Sequence, residues 1–460
     1  MILNNKNLLY ASQFQNCNPK IIYFRDLEFS KIFTMNKLIL LIISMGFVSL
    51  VHSQDKLSLE DCRRMALEYD QDVRSAGLNI NAAEEETSSA RNDLYPKLDG
   101  GGWYNYRGRP INPGNAPNNI QHLYNVNAEV TQPIYAGGKF RQSYELAKIN
   151  EELKRAQKDL TDNEIMLETD ISYWYVVSIK EKFQLAKDYR EILETLVQDV
   201  RNKMDAEIVS RSDLLQAQVR YNDAELMVLQ HENALAVSVM TLNRQIGLPI
   251  EQRTDVQDSI IIQLYVIDST NVNNRALSQR PEIMMGESSV EGSKVQIKLT
   301  ASDYNPYIGV GFKGYYGAPG IDFTQSPDWN YIGSANLSIP IFYGGQRKKE
   351  VNASKIYSEV AELQLEKTQE LVKLDVQQSK FNLFESVKQY ELAGGSLNDA
   401  EENLDIITDR YNEGLSPIIE VLDAQVYWQL AYLSYIDAKT YYQISYSEFL
   451  KALGEYVPKQ

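Results

Sequence analysis

The sequence has little of the material from which most catalytic and metal sites are made. Its 460 residues include three histidines and two cysteines. Two cysteines cannot build a disulfide framework or a thiolate zinc site. The histidines are isolated, and the sequence shows no pairing of a nucleophile with a base. We therefore predict a protein that is not an enzyme and that holds no cofactor and no metal.

Basic charge and long apolar runs are also scarce. Lysine and arginine number 46 against 62 acidic residues, for a net charge of -16. Nucleic-acid binding needs a basic surface, so we exclude nucleic acid as a partner. The apolar run 38–51 has 14 residues, too few to span a bilayer as a helix, and no later run reaches 18. We therefore predict no transmembrane helix.

The run 38–51 has the organisation of a secretory signal. Lys37 precedes it and the small residue Ser53 ends it, which gives a charged region, an apolar region and a cleavage site. We predict cleavage after Ser53 and interpret residues 1–34 as an upstream extension, so that 1–53 is removed. No cysteine stands at the cut, which predicts no lipid anchor. Cys62 is then the thiol of an exported chain.

The rest of the chain contains an internal duplication. The motif Pro-x-x-x-Gly-Gly, with Gly137 and Gly138, recurs 207 positions later with Gly344 and Gly345. Segment 213–218 recurs at 420–425 with the same offset. A period this long indicates a duplicated unit rather than a solenoid. The predicted boundaries are a first repeat at 54–247, a linker at 248–270, a second repeat at 271–453 and a tail at 454–460.

Each repeat is predicted to contain one very long helix. Residues 139–204 lack proline and glycine, and their apolar residues recur at steps of three and four. The second long helix, 346–410, is interrupted only by Gly394 and Gly395, where we expect a bend. Shorter helices are predicted at 58–93, 210–246, 271–302 and 417–453. Two short helices end to end match one long helix of about 100 Å and are expected to pack beside it.

Alternating apolar and polar residues predict four strands. They lie at about 97–107, 123–134, 306–316 and 330–341. Each has the length of a tilted strand that crosses a bilayer, and their aromatic residues suit its interfaces. The sequence Gly309-x-Gly311-x-x-Gly314 falls in the third strand, so we interpret it as strand rather than as a dinucleotide motif.

Four strands cannot close a barrel, and an open sheet edge is not tolerated in lipid. Two chains would give eight strands, a barrel filled by its own side chains, whereas three chains give twelve and leave a lumen. The predicted fold is mostly α with a membrane β-barrel. A duplicated helix-strand-strand-long helix-helix unit forms a trimeric 12-stranded β-barrel, continuous with a long α-helical periplasmic barrel.

Several segments resemble the outer-membrane efflux protein family of TolC-like channel-tunnels. They are 57–61 before Ala66-Leu67, the two Pro-x-x-x-Gly-Gly turns, and 411–415 before 420–425. The resemblance implies an exit channel of a tripartite efflux or type I secretion system in the outer membrane of a Gram-negative bacterium, extending into the periplasm. It implies a homotrimer in outer-membrane lipid, with a periplasmic adaptor and an inner-membrane pump as partners. The alternative is a soluble periplasmic coiled-coil structural or adaptor protein.

The resemblance also implies a periplasmic gate at the turns after the long helices. Asp213 and Tyr411 match the linking residues of the family, and Glu420 and Asp423 match an acidic pore ring. The gate arginine of the family falls at Ser416, so its link is either absent or remade by Arg211 or Arg410. Glu207 stands where the second repeat has Gly414, so we expect the two turns to differ.

A purely structural explanation of these residues is also open. Asp213 follows Ser210 with the spacing of a capping box, and Ser416-Pro417 has the pattern of an N-cap and first helical residue. Glu420 and Asp423 could be solvated surface. Elsewhere we expect His122 in a loop and His231 on a helix surface. We also expect Met284-Met285 in a helix core and Cys62 buried.

Overall fold

The computed structural model describes residues 56–111, 120–257, 262, 271–319 and 326–456. They belong to one compact unit, 56–460. The predicted signal region 1–53, part of the linker 248–270 and the last four residues of the tail lie outside the described residues.

The described elements repeat the same order twice. The first repeat contains α1 (Leu59–Tyr69), α2 (Gln71–Asn92), β1 (Lys97–Ile111), β2 (Ile120–Ala136), α3 (Lys139–Asp205) and α4 (Arg211–Ile246). The second repeat contains α5 (Val272–Gln279), α6 (Pro281–Ser302), β3 (Tyr307–Ala318), β4 (Asp328–Ser338), α7 (Gln346–Asn412) and α8 (Ile418–Leu453).

The first predicted helix of each repeat is in fact two helices. In the first repeat the Asp70 side chain accepts hydrogen bonds from Asp72 N (2.8 Å) and Val73 N (3.2 Å), so it ends α1 and caps α2. In the second repeat Arg280 occupies the junction and Pro281 begins α6. The prediction of a single helix at 58–93 and at 271–302 was wrong, because an aspartate cap and a proline without an N–H both favour the start of a new helix.

The two long helices each have 67 residues, or about 100 Å of helix. The second is one continuous helix through Gly394 and Gly395, and the bend expected there stays a prediction. A Cβ at Gly394 would lie 3.5 Å from the ring of Tyr435 on α8. Packing along α8 therefore maintains a helix that two glycines alone would weaken by roughly 1 kcal/mol each.

The helices pack as a layer in which long and short helices alternate. Near the strands the order of contacts is α2–α3–α6–α7, and near the far turns it is α4–α3–α8–α7. The two short helices of each repeat therefore lie end to end beside the long helix, as predicted. The layer has two edges in a single chain: α2 and α4 at one side, and α7 at the other.

The sheet is four-stranded and antiparallel, in the chain order β1-β2-β3-β4. The first two strands are longer than predicted, because their hairpin ladder continues to a pair between Ile111 and Ile120. His122 is consequently in β2 and not in a loop, and its Nδ1 lies 2.8 Å from the hydroxyl of Tyr104. The fourth strand ends at Ser338, earlier than predicted.

The register separates an apolar face from a polar face. One row across the four strands is Leu98, Val130, Phe312 and Gly333. The next row, on the opposite face, is Asp99, Glu129, Lys313 and Ile332. The Lys313 ammonium lies 3.4 Å from the Glu129 carboxylate. Because successive side chains alternate between faces, the whole sheet is two-sided.

Other expectations have mixed outcomes. Cys62 is buried as expected, and burial raises its pKa to about 12. Met284 is 47% exposed, so its assignment to a helix core was wrong: the buried face of α6 is the one with Ile283 and Val290.

Across the described ranges, no helix has both the length and the apolar character to cross a membrane. Those ranges also hold no cluster of three or more metal-ligating side chains.

Candidate functional site

The candidate gate residues lie at the turns that follow the long helices. The first turn connects α3 to α4, and the second connects α7 to α8. Because β2 and β4 lead directly into helices of 67 residues, both turns are about 100 Å from the strands. The two turns are close to each other, since residues of both repeats share one buried cluster there.

The turns have the same backbone geometry. Glu207 and Gly414 both adopt a left-handed conformation, with φ of 59° and 75°. Ile208 N donates to Lys203 O at 2.9 Å, and Leu415 N donates to Arg410 O at 2.8 Å. The expectation that the turns differ was wrong, because these bonds satisfy the last helical carbonyls and hold even a glutamate in the conformation that glycine favours.

Tyr411 is the most buried of the candidate gate residues, with 7% of its surface exposed. Its ring packs in the shared cluster with residues of both repeats, among them Val200, Ala217 and Ile418. Its hydroxyl has no hydrogen-bond partner among the described residues. Burial is the largest influence on the pKa of Tyr411 and raises it. The nearby Lys203 cation opposes this shift and the charges of Asp199 and Asp213 add to it, so the phenol is protonated at neutral pH.

Asp213 forms the predicted capping box with Ser210. Its carboxylate accepts bonds from Ser210 N and Oγ, both at 2.9 Å, and Asp213 N donates to Ser210 Oγ at 3.3 Å. The structure shows no hydrogen bond between Asp213 and Tyr411. Asp213 nevertheless acts on Tyr411 through its charge, because it is one of the acidic groups that raise the Tyr411 pKa.

The two candidate arginines do not take part in a link within the chain. Arg211 and Arg410 are exposed, and neither makes an ion pair with a residue that the structure describes. Ser416 is buried and does not cap α8, whose N-cap is Pro417. The predicted N-cap role of Ser416 was therefore wrong, since its side chain is turned into the protein.

The cation beside Tyr411 is one that sequence reasoning missed. The ammonium of Lys203 lies 4.1 Å from the centre of the Tyr411 ring and 2.9 Å from the Asp199 carboxylate. Burial lowers the pKa of Lys203, but the hydrogen bond to Asp199 and the charges of Asp199 and Tyr411 outweigh it, and the net shift is upward. Lys203 stands 207 positions before Arg410, so the repeat offset could have identified it.

The candidate acidic ring residues lie at the start of α8. Glu420 and Asp423 are both exposed, and the Asp423 carboxylate is 3.8 Å from the guanidinium of Arg220 on α4. Both acids are therefore hydrated in a single chain, which is compatible with a pore lining and with ordinary surface.

The four glycines of the repeated turn connect a strand to each long helix. Gly137, Gly138, Gly344 and Gly345 have φ of 63°, 88°, 58° and 83°, a region that strongly favours glycine. The first turn also contacts the second repeat, since Asn305 Nδ2 donates to Gly137 O at 3.2 Å. A Cβ at Gly137 would come within 2.3 Å of the Asn305 Cβ. These glycines join the sheet to the helices.

Known proteins share both the duplication and the fold. A family model described as Outer membrane efflux protein matches residues 63–248 and 272–455. The chain is 23% identical over 416 residues to outer membrane protein TolC of Escherichia coli, covering 85% of this chain and 80% of that protein. It is 20% identical over 331 residues to the alkaline protease secretion protein AprF of Pseudomonas aeruginosa, covering 68% and 67%.

Solved structures agree with the family match. The CmeC outer membrane channel of Campylobacter jejuni has the same fold, with a TM-score of 0.73, 18% identity and 86% of each chain covered. The family match extends over both repeats and includes Asp213, Tyr411 and the turns around them. The chain is therefore an outer-membrane protein and belongs to the outer membrane efflux protein family.

Proposed function

We propose that three copies of this chain form a passive exit channel from the periplasm to the cell exterior. The observation that carries the proposal is the continuity of a two-faced sheet with two helices of about 100 Å. A sheet with one apolar and one polar face suits a boundary between lipid and water. The helices then extend the conduit away from the membrane into the periplasm.

The open edges of the chain support a closed ring of copies. The β1 and β4 edges of the sheet, like the α2–α4 and α7 edges of the helical layer, are different surfaces, so copies would associate head to tail. Three copies bring the strand number to twelve, which leaves a lumen. Both helical edges expose apolar side chains for such a contact: Val360, Leu363, Leu374 and Phe381 on α7, and Leu215, Val219, Leu226 and Leu229 on α4.

The channel would work with a periplasmic adaptor and an inner-membrane pump, and would have no chemistry of its own. One relative is named for protease secretion, and the family is described by efflux. The same conduit serves efflux and type I secretion, because the pump selects what enters. At the far turns, three copies of Glu420 and Asp423 would concentrate negative potential and favour cations.

The test is electrical. The protein would be extracted from outer membranes in detergent, inserted into a planar bilayer and recorded under a salt gradient. Small, stable, cation-selective current steps are expected from a trimer that is nearly closed at the acidic end. Extraction without detergent, together with no current, would instead support the soluble coiled-coil alternative.

The gate assignment has its own test. The double variant Tyr411→Phe, Asp213→Ala removes the phenol hydroxyl and the carboxylate at the turns. We expect larger current steps than in the wild type, because these two residues would contribute polar links at the closed end. Conductance equal to the wild type would remove Tyr411 and Asp213 from the gate while leaving the channel function intact.

A further inference from the structure

Within one chain, the packing contacts of Tyr411 are made by its ring. The side chain is buried, and the hydroxyl has no hydrogen-bond partner among the described residues. The ring lies in the apolar cluster that both repeats share. Any change in the separation of α3 and α7 at this end therefore changes what the ring touches.

Among the described residues, a lysine of the other repeat, Lys203, places its charge on the Tyr411 ring. Lys203, in the last turn of α3, has its ammonium 4.1 Å from the ring centre. Asp199, one helical turn earlier, holds the same ammonium at 2.9 Å. The Lys203 side chain is 24% exposed, so most of its length is covered where it crosses the ring.

We propose that Lys203 is the positioning residue that keeps Tyr411, and with it the end of α7, against α3 in the closed channel. The proposal rests on the proposed channel function. The arginine that the family resemblance would place at the second turn is Ser416 in this chain. Lys203 supplies a cation from the first repeat instead, with Asp199 fixing its direction.

The repeat offset provides a matched comparison within the chain. The equivalents of Lys203 and Tyr411 in the opposite repeats are Arg410 and Met204. A cation is therefore present at both equivalent positions, but the aromatic ring is present in only one repeat. In a closed ring of copies, the junction within a chain would be held by cation and ring, and the junction between chains would lack that contact.

The experiment records single channels of Lys203→Gln, with Arg201→Gln as the control that removes the same charge from the exposed surface of α3, two residues earlier. We expect Lys203→Gln to raise the open probability roughly tenfold, and Arg201→Gln to match the wild type. Lys203→Arg keeps a cation and is expected to stay closed. An open Lys203→Arg channel, or equal opening of Lys203→Gln and Arg201→Gln, would overturn the proposal.

A chemical rescue separates charge from folding. Lys203→Cys channels, once inserted, would be treated with 2-aminoethyl methanethiosulfonate, which restores an ammonium of similar length. Cys62 is buried with a pKa of about 12 and should not react. Closure by this reagent, and not by the uncharged methyl methanethiosulfonate, is expected. If both reagents or neither close the channel, the Lys203 charge has no positioning role.

The outcomes also separate this proposal from the function on which it rests. A wild-type protein that gives no current in the bilayer contradicts the channel itself. A wild type that conducts, with Lys203→Gln indistinguishable from it, contradicts only the role of Lys203.

Discussion

The two repeats make the same contact between their first short helix and their long helix, with different chemistry. In the first repeat the Arg63 guanidinium binds both oxygens of Asp170, at 2.7 and 2.6 Å. In the second repeat the equivalent residues are Asn273, 210 positions after Arg63, and Gln377, 207 positions after Asp170. The Gln377 amide donates to Asn273 Oδ1 at 3.0 Å. The duplicated fold therefore requires a polar contact here, but it does not require charge.

The Arg63–Asp170 pair is charged and the Asn273–Gln377 pair is neutral because different residues pack against them. Asp170 is fully buried and also accepts from Ser447 Oγ of the second repeat, at 2.6 Å, and from the hydroxyl of Tyr456, which follows that repeat. Burial and the Asp170 charge raise the pKa of Tyr456, so its hydroxyl remains a donor. A carboxylate with this many donors is well satisfied despite its burial.

The second pair has no corresponding donors. The repeat equivalents of Ser447 and Tyr456 are Met240 and Pro249, neither of which has a side-chain hydrogen-bond donor. In a closed ring of copies, Gln377 would face these residues of the next chain. A carboxylate at position 377 would be left with fewer partners than Asp170, and a neutral amide avoids that penalty.

The largest expected loss of stability comes from removing the carboxylate of the Arg63–Asp170 pair. Asp170→Ala leaves the Arg63 guanidinium, which is 16% exposed, with the exposed Glu60 carboxylate at 2.7 Å in place of its buried partner. Removal of one member of a buried ion pair typically costs about 3–5 kcal/mol. We expect the thermal midpoint in detergent, followed by circular dichroism, to fall strongly. A change no larger than that of an exposed control, such as Glu420→Ala, would show that the pair contributes little.

A smaller effect is expected when the second repeat's chemistry is transferred to the first. The double variant Arg63→Asn, Asp170→Gln removes both charges and allows the neutral bond that Asn273 and Gln377 make. Since no unpaired charge remains, we expect it to recover most of the stability lost in Asp170→Ala. The thermal midpoint in detergent, compared with that of Asp170→Ala, measures this recovery. A double variant as unstable as the single one would mean that Ser447 and Tyr456 require a carboxylate.

The neutral pair itself is expected to contribute less. Gln377→Ala removes one half-buried hydrogen bond and no charge. The expected loss is about 1 kcal/mol, the usual net value of such a bond. Urea unfolding in detergent, compared with Asp170→Ala, measures the contrast between the repeats. Equal losses in the two variants would contradict the distinction drawn between them.

Sequence patterns predicted the regular parts of this molecule well. Periodicity located the long helices within two residues of their observed ends, Asp205 and Asn412, because an apolar stripe repeats over many turns. The duplication gave the order of the elements. Three features that the sequence did not predict depend on tertiary contacts. They are the burial of Ser416, the exposure of Met284, and the contact of Lys203 with Tyr411. Tyr456, in the predicted tail at 454–460, is buried on Asp170, and no sequence pattern indicated this contact.

Effects no larger than that of Gln377→Ala are expected at the paired turns, Glu207 and Gly414, which share one left-handed geometry. Gly414→Glu places a side chain in that conformation and is expected to cost about 1 kcal/mol. Glu207→Gly relieves the same strain but increases the freedom of the unfolded chain, so we expect a net change below about 0.5 kcal/mol. Urea midpoints measure both. If Gly414→Glu is as neutral as Glu207→Gly, the turn bonds to Lys203 and Arg410 set the conformation whatever residue occupies it, and the two repeats are equivalent at this end in energy as well as in geometry.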